Sequence, residues 1–339
     1  MSAQTVSEQV QSAQLEQLTE EVNTLKEKGS AWDKILKAMP KISGYAQLRY
    51  DYMDGDDTQS TFQVRRVRVI LDGQIAPKLD YRVQAELAGS FALQDAYFSY
   101  KPLEGLKLSV GQMKLPFSIE NPDIGPTKLE FIDYPMAMTY LVGSEESFGR
   151  DVLKAGGRDI GAKFFGSLAN GIVGYDLGVY NGSGINCKDN NKSKDVVGRL
   201  SIRPVKGLLL SGSYLYGEFG SDYIKRERWG AGVFYDYGRW MVRSEYIGGN
   251  TGKDRSEGLY VAGGYRFCKT WMAVARYDVY AMGKLYSDVN TSTVYTAGIN
   301  WRPVKNFLFQ ANYAFKDYYI VNNPRRENHQ LMVQASVIF

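Results

Sequence analysis

Charged residues recur at every second position along several stretches of this 339-residue chain. In "FQVRRVRVILDG" one phase carries Arg66, Arg68 and Asp72 and the other carries Val67, Val69 and Leu71. In "YRVQAELAG" Arg82, Gln84 and Glu86 oppose Tyr81, Val83, Ala85 and Leu87. Later stretches repeat the arrangement, with Arg199, Arg203, Arg243 with Glu245, and Arg276 with Asp278 on the charged phase; Lys163 and Asp95 join them. Fixed charges at this spacing perform no covalent chemistry. Lining a water path, they concentrate counter-ions and lower the barrier for ions of one sign. Acids on the same phase, among them Asp72, Glu86, Asp95, Asp159, Asp176, Asp236, Glu245 and Asp278, leave only a slight positive excess. A transverse field, or ion pairs that brace a wall, therefore outweighs phosphate specificity at this point.

Other chemistry has few residues to work with. His329 is the single histidine and the two cysteines, Cys187 and Cys268, stand far apart, so neither a zinc site nor a disulfide framework is expected. No cofactor, metal or catalytic group is implied. A net charge of +4 with acids and bases interspersed carries no nucleic-acid footprint.

The elements that must hold the charged ladder follow from periodicity. Segments such as "YRVQAELAG", "WGAGVFYDY", "VYTAGINW" and "LMVQASVIF" alternate with period two, as strands with one apolar face do. Between them, tight links ("APK", "KPLEG", "SLANG", "RPVKG", "YGRW", "CKTW", "RPVKN") take turns with longer polar ones ("NGSGINCKDNNKSK", "GEFGSDYIKRER", "GGNTGKDRSEG", "MGKLYSDVNTST", "KDYYIVNNPRREN"). In an up-and-down sheet this puts every long connection at one end. About sixteen strands result, with Trp240, Trp271 and Trp301 beside short links and Trp229 beside a long one, as two interfacial girdles require. The expectation is an all-β transmembrane antiparallel barrel over residues 41–339, with Val67, Leu87, Leu200, Val242, Tyr277 and Val333 facing lipid. A chain ending on an alternating strand fits, because the last strand must pair with the first to leave no open edge in hydrocarbon. Residues 1–40 read differently: Leu15, Leu18, Val22 and Leu25 make a short helical, coiled-coil seam. The opening residues lack a secretory pattern and read as a mature chain with an added Met.

The stretches "FQVRRVRVILDGQIAPKLDYRVQAEL", "LQDAYFSYKPLEGLKLSVGQMKLPF" and "GRDIGAKFF", and more loosely "YDLGVYNGSG", "RSEYIGG" and "VARYDVY", resemble the phosphate-selective porin O and P family of Gram-negative outer membranes. The resemblance implies a trimeric sixteen-stranded channel with a periplasmic N-terminal coiled-coil segment. It also implies a long external loop folded into the lumen, here residues 115–157. Lys114, Lys128, Arg150 and Lys154 beside Glu120, Asp123, Glu130, Asp133, Glu145 and Glu146 make that constriction acidic on balance. The expected function is passive diffusion of small hydrophilic solutes and ions across the outer membrane. A specific phosphate or anion channel, and a platform for a surface partner, stay open as alternatives. The partners expected are the bilayer, the solutes and two further copies of the chain.

Overall fold

The computed structural model describes residues 20–22, 24, 26, 39–55, 58–143, 146–148, 151–153, 156–285, 290–319 and 325–339. By their contacts, residues 1–41 and 42–339 form two units. In the first, Glu20–Val22, Thr24 and Lys26 are helical; Leu15, Leu18 and Leu25 of the expected seam lie outside the described residues.

The second unit is a closed antiparallel barrel. In chain order its strands are β1 (Lys41–Asp54), β2 (Gln59–Ala76), β3 (Leu79–Glu86), β4 (Ala92–Leu103) and β5 (Leu106–Lys114). A long connection, carrying the small hairpin β6 (Glu146–Phe148) and β7 (Asp151–Leu153), then leads to β8 (Arg158–Leu168), β9 (Val173–Tyr180) and β10 (Asp195–Ile202). There follow β11 (Leu208–Phe219), β12 (Ile224–Tyr237), β13 (Trp240–Thr251), β14 (Asp254–Arg266), β15 (Trp271–Met282), β16 (Asn290–Trp301), β17 (Phe307–Tyr319) and β18 (Arg326–Ile338). Each of the sixteen barrel strands pairs with its neighbours in sequence, and β18 pairs with β1 to close the ring.

The pleat sorts side chains by face. Gln47, Arg243, Gln310, Gln334 and Ser336 are buried inside, whereas Leu48, Leu87, Leu200, Val242 and Trp240 are exposed outside. Apolar outside and polar inside is the pattern of a wall that faces hydrocarbon. Val67, Tyr277 and Val333 are half-buried on the same outward phase.

Two connections differ from the sequence reading. β11 runs to Phe219 and β12 starts at Ile224; β13 runs to Thr251 and β14 starts at Asp254. The links are therefore only residues 220–223 and 252–253, and the polar residues around them are strand. Beyond the hydrocarbon both faces of a strand are wet, so alternation lapses although the ladder continues, as in the Gly217↔Arg226 and Asn250↔Arg255 pairs.

Closure depends on a glycine. Gly44 and Phe339 exchange two backbone hydrogen bonds of 2.8 and 2.9 Å. A Cβ on Gly44 would come within 2.4 Å of the Arg68 carbonyl oxygen and 2.6 Å of the Phe339 ring. We expect Gly44→Val to lower the folding yield by displacing the last residue of the seam, at a cost of about 1–3 kcal/mol. The yield is read from the heat-modifiable mobility of folded barrel on gels.

Candidate functional site: a lumen divided by an inward loop

Residues 115–142, the described first part of the long connection, fold into the lumen and pack on one side of it. Phe117, Ile119, Leu129, Phe131, Ile132, Met138 and Leu141 are buried against inward apolar residues of the β10–β18 wall, including Leu209, Leu215, Met241, Val274 and Met332. Burying each large side chain contributes about 1.5–3 kcal/mol, so the loop is part of a core. The remaining space is bordered by the loop and by β2–β5 and β8, and toward one end also by β15–β18.

Wall side chains hold the loop at both side chains and backbone. Arg243 on β13 donates through Nε to Glu120 (2.7 Å) and through Nη2 to Glu130 (2.8 Å). Arg49 grips Asp133 with two bonds of 2.7 and 3.1 Å, and Arg199 bonds Asp123. Glu245 accepts from the Ile119 amide at 2.7 Å and the Ser118 hydroxyl at 2.9 Å, and Asp278 accepts from the Met136 amide at 2.8 Å. Arg276 donates to the Asp133 carbonyl and stacks over Phe131. Burial opposes ionisation of Asp133, but Arg49 beside it prevails and holds the carboxyl below its ordinary value.

Glu120, Asp123, Glu130 and Asp133 each pair with a wall arginine, so their charge is spent on anchoring. Sequence gives the sum of charges along the loop but not which of them face water. Glu145, Arg150 and Lys154 lie outside the described residues.

Among the described residues, two chambers that share a border lie beside the loop. The first, of about 580 Å³, lies toward the long-loop end and the second, of about 360 Å³, toward the short turns. Both are bordered by Arg68, Lys114, Pro126 and Arg158, and these residues form the eyelet where the chambers meet. Seven Lys or Arg line the first chamber against three carboxylates, and six line the second against two. Over both chambers these are ten different cations against five carboxylates, since Arg68, Lys114 and Arg158 border both, and two of the ten, Arg82 and Lys163, pair with Asp72 and Asp176 behind the lining.

The cations of the eyelet, and Arg66 beside it in the first chamber, differ in their pairing. Arg68 pairs with Glu86 and Arg158 with Asp95, each at 2.7 Å. Lys114 donates to the Asn121 carbonyl at 2.6 Å and Arg66 to the Gln47 side chain at 2.9 Å; neither has a carboxylate oxygen within 4.0 Å among the described residues. The Tyr45 hydroxyl beside Arg68 is buried and has no hydrogen-bond partner among the described residues. Arg65, not singled out by alternation, also lines the first chamber. Gln63 bonds lumenal Asp51 and Arg66 bonds lumenal Gln47, so the strand changes phase between them and turns two consecutive arginines inward. The doubled Arg in "QVRRVRV" is the signal that was available.

Of the other expected residues, Arg82 is clamped by Asp72 at 2.7 and 2.9 Å, and Lys163 bonds Asp176 at 3.2 Å. Arg203 sits exposed in a short turn, bonded to Ser201. Lys128 borders the second chamber. His329 is on the outward face, bonded to the Tyr313 hydroxyl. Because the Arg82–Asp72 pair is over a third exposed, removing both partners in R82A/D72A should change stability by less than about 1 kcal/mol and leave ion preference unchanged. Urea unfolding and the reversal potential in a salt gradient test this.

The model of a family described as "Phosphate-selective porin O and P" matches residues 42–215. No curated protein matches the sequence. Among solved structures, an anion-selective porin from Comamonas acidovorans is similar at 11% identity and a TM-score of 0.69, over 88% of this chain and 99% of that one. OmpF of Salmonella typhi is similar at 12% identity and a TM-score of 0.67, over 89% and 98%. The trimer form of OmpT from Vibrio cholerae is similar at 14% identity and 0.60, over 89% and 100%. At these identities the likeness is one of fold.

Proposed function

The chain belongs to the phosphate-selective porin O and P family, and from that premise we propose a passive outer-membrane channel whose eyelet favours anions. The barrel is a porin for diffusion of small hydrophilic solutes. The observation that carries the preference is the charge along the path: ten different cations against five carboxylates over the two chambers, with Lys114 where the chambers meet and Arg66 in the first chamber lacking any carboxylate oxygen within 4.0 Å among the described residues. Charges in a narrow, partly desolvated passage act more strongly than the same charges in open water. A tight phosphate site is not required by this arrangement; a bias suffices. The test is the reversal potential of single wild-type channels in a KCl gradient at low salt. A potential of the sign set by chloride supports the reading, and one set by potassium rejects it.

We further read the short turns as periplasmic, the N-terminal segment as a periplasmic helix, and the assembly as a homotrimer. The Leu15 to Leu25 spacing and the trimer form of the similar Vibrio cholerae protein support the last point. Mass photometry in mild detergent should give three times the 38.1 kDa chain mass.

A further inference from the structure

At the short-turn end an aromatic belt crosses the outer surface from β12 to β17. Trp240 meets Tyr265 at 4.7 Å between ring centroids, Phe267 meets Trp271 at 6.5 Å, Trp271 meets Trp301 at 5.7 Å, and Trp301 meets Phe307 at 6.3 Å. Rings in this position mark the level where hydrocarbon gives way to headgroups.

The turns directly beneath the belt are one-sided in charge. Residues 203–207, 238–239, 267–270 and 302–306 contain Arg203, Lys206, Arg239, Lys269, Arg302 and Lys305 and no carboxylate. Arg203 and Arg302 are engaged by the chain itself, the first with Ser201 and the second with the Thr127 and Lys305 carbonyls. Lys206, Arg239, Lys269 and Lys305 are exposed and have no carboxylate oxygen within 4.0 Å among the described residues. Two of them are set against the belt: Lys206 lies 5.3 Å from the Tyr237 ring centroid, and Arg239 donates to the Tyr265 hydroxyl at 3.3 Å. These contacts hold the cations at the lipid-facing rim instead of over the lumen, where they could only steer permeating ions. The remaining short turns carry Lys78 and Glu104, which offset each other.

We propose that this rim, from the β10–β11 turn to the β16–β17 turn, is a binding surface for anionic phospholipid headgroups of the leaflet at the short-turn end. The rings pack on the glycerol and upper acyl region while the four cations meet headgroup phosphates that carry net negative charge. A zwitterionic headgroup offers the same phosphate with its own ammonium already beside it, so the surface discriminates by net charge. One cation near an anionic lipid surface contributes roughly 1 kcal/mol, which corresponds to about a fivefold preference.

Tryptophan quenching by brominated lipids measures this directly. In a W32F/W229F background the remaining tryptophans, Trp240, Trp271 and Trp301, all lie in the belt. Full-length protein in bilayers should show brominated phosphatidylglycerol displacing phosphatidylcholine with a relative binding constant of about five at low salt. The variant K206Q/R239Q/K269Q/K305Q should bring that constant to about one while conducting as before, which shows that the barrel is intact. A constant of one in the parent protein overturns the proposal, as does a preference that survives in the quadruple variant. If the parent shows no lipid preference but co-sediments with purified peptidoglycan only when the four cations are present, the rim is a cell-wall contact and the lipid proposal fails.

Discussion

Replacing Arg243 with methionine is expected to release the constriction loop and give a larger, noisier single-channel conductance. The guanidinium is 1% exposed and joins Glu120, which is fully buried, to Glu130, which is 12% exposed. Without it two carboxylates share a buried site with Glu245 close by, which already accepts from Ser118 and Ile119. Breaking a buried pair by removing one partner costs about 3–5 kcal/mol. The sixteen-strand ladder is continuous without the loop, so the strain is relieved by moving the loop and not by opening the barrel. Burial pushes the Glu130 carboxyl above its ordinary value, and Arg243 offsets this only in part. A raised carboxyl takes up its proton earlier as pH falls. The R243M conductance should therefore drop back toward that of the wild type on acidification, and rise as Glu130 ionises at higher pH. R243M/E120Q/E130Q, which carries no unpaired charge at this point, should keep the narrow channel at all pH values. A wild-type conductance in R243M at neutral pH would mean that apolar packing alone holds the loop.

The second large effect is expected from Lys114→Gln and Arg66→Gln together. These cations border the chambers without a carboxylate partner, whereas Arg68 and Arg158 are each matched by an acid at 2.7 Å. Removing an unpaired charge changes the local potential by a full unit and leaves no orphaned acid behind. The reversal potential in a KCl gradient should move toward potassium at about 0.1 M, where screening extends over roughly 10 Å, and much less at 1 M, where it falls to roughly 3 Å. R82A/D72A is the control, since it removes a neutral pair. An unchanged reversal potential in the double glutamine variant at low salt would place selectivity elsewhere along the path.

Period-two alternation made the barrel legible, because a wall with lipid on one side and water on the other imposes opposite chemistry on successive residues. Val67 with Arg66 and Arg68, and Leu200 with Arg199, show it directly. The tryptophans marked the short-turn end for the same reason, because each depends on the solvent outside; link lengths did so only in part, since two links read as long are just residues 220–223 and 252–253. The doubled arginine at positions 65 and 66 was visible as a break in the pattern, but its meaning was not. What the arginines do was decided only by tertiary structure. Arg243 and Glu120 are 123 residues apart, and Arg49 and Asp133 are 84 apart. Alternation reports the face on which a side chain lies and is silent on what crosses the lumen to meet it. The inward loop chose its partners by packing Phe117, Phe131 and Ile132 on one wall, and that choice consumed four carboxylates and left Lys114 and Arg66 facing the path. Charge counted along a chain is a sum; charge felt by an ion depends on which pairs have already closed, and burial and distance determine those pairs.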